Sequence, residues 1–141
     1  MSSTSQNKET NTPKPGSGKG VQRTGLVLSW LLGLFMLFIA GMNIIQPESV
    51  VQQTRESGFP VSAMLPLGIV LACSTLLYLY PKTMVLGCVL LTGYFGGAVA
   101  THVVKGDGLG LSLFPVLFGI LTWLGGIMQC KRLRAILPLR T

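Results

Sequence analysis

The chain has 141 residues, of which 49% are hydrophobic and only 11% charged, with a formal net charge of +7. A soluble domain of this length carries about twice that charged fraction, so a water-soluble globular fold is excluded. The basic excess does not point to nucleic acid either, because the Lys and Arg residues flank apolar runs, which is the pattern of membrane anchoring.

Residues 1–24 are rich in Ser, Thr, Asn, Lys, Pro and Gly. Such a segment buries too little apolar surface to offset its ordering entropy, and it reads as a disordered cytoplasmic tail. Residues 25–130 follow as the membrane domain. Its first span runs from about Leu26 to Ile45, long enough as a helix to cross a hydrocarbon core of about 30 Å. No A-x-A-like cleavage site follows Ala40, so the span reads as a retained helix rather than a signal peptide. Between Gln46 and Gly58 the chain turns polar. Pro47 suits a first helical turn, Val50, Val51 and Thr54 share one side, and Gly58 can end the turn, which predicts a short helix on the membrane surface.

The second span covers about Val61 to Tyr80, and Pro66 is expected to kink or loosen its first turns. Tyr78 and Tyr80 are expected at headgroup level, where amphipathic rings are favoured. Pro81-Lys82-Thr83 allows only a tight turn, so the third span, about Met84 to Val104, runs back antiparallel beside the second. A second turn at Lys105-Gly106-Asp107-Gly108 leads to the fourth span, about Leu109 to Met128, with Pro115 near its start. Residues 131–141 form a basic tail, and Leu133, Ile136 and Leu137 could dip into the inner leaflet while its cations meet anionic lipid. The fold class is thus all-α, a polytopic antiparallel four-helix transmembrane bundle.

Basic residues in the short flanks set the orientation. Lys8, Lys14, Lys19, Arg23, Lys82, Lys131, Arg132, Arg134 and Arg140 fall on one side, against Arg55 and Lys105 on the other. Both termini are therefore expected in the cytoplasm. Cys73, Cys88 and Cys130 are odd in number and lack C-x-x-C spacing, so neither a disulfide framework nor a metal site is indicated.

The third span is rich in small residues. Gly93 and Gly97 form G-x-x-x-G, and Gly96 and Ala100 a second small pair, a ridge suited to close helix packing. Tyr94, Ala98 and His102 lie at i, i+4 and i+8, nearly one line along the helix, with Thr101 and Lys105 at its outer end. An ionisable side chain within a span suggests a functional site, here a cavity that binds a small molecule or passes a proton. A plainer reading is also open, in which His102 only meets Thr101, water or a headgroup near the interface. Asp107 is five residues from His102 and flanked by glycines, a spacing that does not favour their pairing.

From Leu91-Thr92-Gly93-Tyr94 through Gly96-Gly97-Ala98 to Thr101-His102, the sequence resembles the DoxX-like family of small bacterial membrane proteins. Leu77-Tyr78-Leu79-Tyr80-Pro81-Lys82-Thr83 into Gly87 is similar to that family's link between second and third helices, and Arg132-Leu133-Arg134-Ala135-Ile136-Leu137-Pro138 to its basic ending. The resemblance implies a four-helix bundle in the bacterial cytoplasmic membrane. It also implies a redox association, since the wider family includes a subunit of a thiosulfate:quinone oxidoreductase. Two positions depart from the family pattern. Asn43 stands where the first helix usually ends in a Lys, and Leu71 where the second usually carries a Glu, so an activity that needs that charge pair is not expected.

Two functions from different classes follow. One is an accessory subunit of a quinone-linked membrane redox complex, with Tyr94 or His102 hydrogen-bonding the quinone oxygens and Gly93, Gly96 and Gly97 leaving room for its ring. The chain has no nucleotide fingerprint, c-type haem motif or iron–sulfur cysteine set, so it would need a cofactor-bearing partner subunit. The alternative is a non-catalytic protein, acting as a homo-oligomer, that binds or moves a small apolar solute or organises a complex. No catalytic nucleophile is placed by the sole histidine.

Overall fold

The computed structural model describes residues 17–130; the two expected tails, residues 1–16 and 131–141, lie outside it. The described elements are α1 (Ser17–Ile45), α2 (Glu48–Glu56), a 3₁₀ turn (Val61–Ala63), α3 (Met64–Leu79), α4 (Met84–Lys105) and α5 (Leu109–Gln129). α1, α3 with its 3₁₀ turn, α4 and α5 are each long and apolar enough to cross a membrane. Each of these helices packs on its sequence neighbour, and α5 returns to α1 to close a four-membered ring.

Burial is distributed as lipid demands. Large apolar side chains such as Trp30, Leu34, Phe38, Leu113 and Ile120 are exposed, while Ser29, Ser74, Thr75, Ser112 and Thr122 are buried. A protein in water would not leave so much apolar surface uncovered. With lipid as solvent, packing and internal hydrogen bonds, rather than hydrophobic drive, hold the helices together. Thr75, Thr92 and Thr122 each donate to the carbonyl four residues earlier, which satisfies their hydroxyls within the helix.

Two local features differ from the expectation and one agrees with it. α1 begins at Ser17, so residues 17–24 are helical rather than part of a tail; extending an existing helix adds one hydrogen bond for each residue ordered and needs no new nucleus. At about 43 Å, this helix outreaches the hydrocarbon core. The first turn of the second span is 3₁₀ and the α-helix begins only at Met64, as the loosening expected from Pro66 requires; in the first turn of α3 its missing N–H has no intrahelical partner to lose. Tyr78 is fully buried at the bundle axis instead of lying at headgroup level, whereas Tyr80 is exposed. The reason is a set of polar partners on the other helices, described below.

α2 runs as the sequence predicts, with Pro47 preceding it and Gly58 at φ +70° beyond its end. The turn after Leu79 is closed by Thr83, whose backbone N–H donates to Tyr80 O (3.0 Å) and whose hydroxyl donates to Leu77 O (2.9 Å).

Candidate functional site

At the end of the bundle where α1 begins and α5 finishes, the four helices meet through one polar cluster. Gln129 Nε2 donates to Ser29 Oγ (2.5 Å), a hydrogen bond joins Ser29 Oγ to Tyr78 OH (2.6 Å), and Tyr78 OH donates to Thr122 O (3.3 Å). Those directions leave the Ser29 hydroxyl as donor to Tyr78, so each hydroxyl both gives and accepts once. Cys88 Sγ on α4 approaches the same Thr122 O at 3.9 Å. Glycines make the approach close enough. A Cβ at Gly125 would lie 2.5 Å from Ser29 Oγ and 2.6 Å from Tyr78 OH, and one at Gly87 would lie 2.2 Å from Tyr78 N.

Toward the opposite end, a groove of about 660 Å³ opens beside α4. Tyr94, Ala98, Thr101 and His102 all line it, so the stripe along the third span shares one concavity. Gly93 and Gly97 contribute bare backbone, Phe59, Leu67, Val70 and Leu90 an apolar wall, and Asn43 of α1 a further polar group. Asn43 Nδ2 donates to Ile39 O (2.9 Å) and Thr101 Oγ1 to Gly97 O (2.9 Å). The Tyr94 hydroxyl has no hydrogen-bond partner among the described residues, and its ring packs edge-on against Phe95.

His102 does pair with Asp107, against the expectation from their spacing: Nδ1 and Oδ2 are 2.8 Å apart. Gly106 explains it. Its left-handed backbone (φ +72°) ends α4 and lets Asp107 N donate back to His102 O at 3.2 Å, a reversal that brings the two side chains together. With Asp107 accepting from Nδ1–H, the neutral imidazole presents Nε2 as an acceptor. Lys105 Nζ lies 5.0 Å from the centre of the Phe59 ring, which ties the α2–α3 connection to the same rim.

The expected packing ridge of Gly93, Gly96, Gly97 and Ala100 is not covered by another helix of this chain. A Cβ at any of the three glycines would meet no atom within 4 Å, and Ala100 is exposed. α4 instead turns Met84, Gly87, Cys88, Leu91 and Phe95 inward. Gly93 and Gly97 therefore widen the polar groove. Gly96 opens onto a separate apolar groove of about 460 Å³ against Pro115 and Gly119 of α5. Among the described residues, no cluster of His, Cys, Asp or Glu could hold a metal ion.

Sequence reasoning passed over Ser29, Thr122, Gly125 and Gln129, and placed Tyr78 at the interface rather than in this cluster. Ser29 carried a usable signal, as the one hydroxyl between Leu26 and Ile45. The partner of Tyr78 is 49 residues away in sequence, and no local pattern marks such a contact.

Four apolar helices with their polar groups turned inward define a polytopic helical membrane protein. The chain belongs to the DoxX-like family, whose profile matches residues 27–125. No curated protein and no solved structure matches it. Of the two positions expected to depart from the family pattern, Asn43 lines the groove, while Leu71 is packed in the core at 2% exposure.

Proposed function

We propose that this protein binds a lipid-borne quinone in the groove beside α4, and that it serves as an accessory subunit of a quinone-linked redox complex in the bacterial cytoplasmic membrane, with both termini in the cytoplasm. The observation that carries this reading is the groove's lining. It has one long apolar wall, a floor opened by Gly93 and Gly97, and two polar groups with hydrogen-bonding capacity unused among the described residues, the Tyr94 hydroxyl and His102 Nε2. Apolar sites with a few placed polar groups are the usual form of small-molecule sites.

Tyr94 and His102 are separated by a rise of about 12 Å along α4. A dione ring lying along the groove between the two side chains would offer one oxygen to each. Tyr94 donates to one carbonyl oxygen, and a protonated His102 donates to the other; toward a hydroquinone, neutral Nε2 accepts instead. Electron transfer would belong to a cofactor-bearing partner subunit.

The test is purification in mild detergent, extraction of bound lipids, and mass spectrometry of quinones and copurifying proteins. Wild-type protein should retain quinone and a flavin- or haem-bearing partner, and Tyr94→Phe and His102→Ala should each lower quinone occupancy. Equal quinone content in all three would sink the quinone assignment. Solute-dependent stabilisation with no quinone and no redox partner would favour a solute-binding role instead. Accessibility labelling of single cysteines at residues 10 and 52 on opposite membrane faces supports the topology, and labelling on the same face refutes it.

A further inference from the structure

A further concavity lies at the other end of the bundle, where α1 and α5 converge. A cleft of about 230 Å³ is lined by Gln22, Arg23, Leu26 and Gln129. Arg23 is exposed and makes no ion pair or hydrogen bond among the described residues. The described carboxylates, Glu48, Glu56 and Asp107, all belong to the opposite end, so the charges of the described residues at this end, Lys19, Arg23 and Lys82, are all cations. Leu26 is shared with an adjoining, wholly apolar groove that continues down α1 past Trp30 to Leu34.

We propose that these two concavities together form a binding site for one anionic phospholipid. Its phosphate lies against the Arg23 guanidinium and the Gln22 amide, and one acyl chain lies along Leu26, Trp30 and Leu34. Depth supports the assignment. Arg23 is less than one turn outside the apolar run that begins near Gly25, which places its charge at headgroup level, while Trp30 lies about 10 Å further in, beside the chains. Charge selects an anionic headgroup. Continuity of the cleft with the apolar groove selects a lipid over a free anion, since a soluble phosphate has nothing to place beside Trp30.

Trp30 supplies its own reporter. In a Trp123→Phe background it is the sole tryptophan, so its fluorescence reports contact with lipids brominated along the acyl chain. Reconstituted in mixed vesicles, the protein should show quenching that favours brominated phosphatidylglycerol over brominated phosphatidylcholine by roughly fivefold, the scale for one cation near an anionic surface. The preference should fall with added salt. It should vanish in Arg23→Gln and persist in Lys82→Gln, which removes a charge from the same end but not from the cleft.

Each other result overturns the site. Equal quenching by the two lipids removes its selectivity, and equal loss in both variants reduces it to diffuse surface charge. Protection of Trp30 from both lipids places protein there, such as a second copy of the chain. Competition by millimolar inorganic phosphate makes the ligand a free anion.

Discussion

The two ends of this bundle differ in how their glycines and polar groups are used. At the terminal end, Gly87 and Gly125 are filled by neighbouring atoms, and each hydroxyl of the Ser29 and Tyr78 pair is satisfied by another helix. At the α2 end, Gly93 and Gly97 face open space, and the Tyr94 hydroxyl has no partner among the described residues. In lipid, an unpaired polar group is costly, so retaining one beside bare backbone is consistent with a ligand site.

The comparison breaks first at Gly87. Its Cβ would collide with the Tyr78 backbone, which cannot swing aside as a side chain can. Gly87→Ala should therefore cost about 3 kcal/mol, the upper range for overpacking, and lower the thermal midpoint in detergent by many degrees. Gly93→Ala, on the same helix, should leave that midpoint within about 0.5 kcal/mol of wild type. Equal effects at the two glycines would mean that the ends are not packed differently.

Tyr78→Phe comes next. It removes the bonds to Ser29 and Thr122 while keeping the ring, and should destabilise by about 1–2 kcal/mol. Quinone content should not change, because the cluster lies at the other end from the groove. Loss of quinone in a variant that remains folded would show that the two ends are coupled.

The spans and the loops between them were legible because hydrophobic run length and turn chemistry are local properties. The inward face of α4 was not. Its small residues form a regular ridge on one side, and the sequence does not say whether small side chains admit another helix or a ligand. The buried residues of that helix, Gly87, Cys88, Leu91 and Phe95, have ordinary helical spacing and no distinguishing chemistry. Tyr78 misled for a related reason. A tyrosine near the end of a span is as consistent with an interface as with a core, and what decides is Ser29 across the bundle. The line of Tyr94 and His102 was legible because both are polar on one helix, where the spacing i to i+8 fixes their common side.

Gly97→Leu should separate stability from binding. The new side chain projects into the groove and meets no protein atom at its Cβ, so the unfolding midpoint should stay within about 1 kcal/mol of wild type. Bound quinone should fall to background. Gly96→Leu, which fills the apolar groove on the other side of α4, should leave quinone content intact. If both substitutions remove quinone, or neither does, the polar groove is not the site.

The smallest expected effect belongs to Asp107. Its pair with His102 is about a third exposed, and such pairs contribute at most about 1 kcal/mol to stability; Asp107→Asn should hardly move the unfolding midpoint. Asp107 acts on the ligand only through His102, by accepting from Nδ1–H while Nε2–H donates to the quinone oxygen. An asparagine keeps a hydrogen-bonding group there but removes the negative charge that supports the donating ring, so quinone affinity should drop by roughly fivefold, the equivalent of one modest hydrogen bond. Asp107→Glu should restore part of that loss. In a His102→Ala background, Asp107→Asn should have no further effect, because a residue that works by orienting another has nothing left to orient; additive losses would instead place Asp107 in direct contact with the ligand.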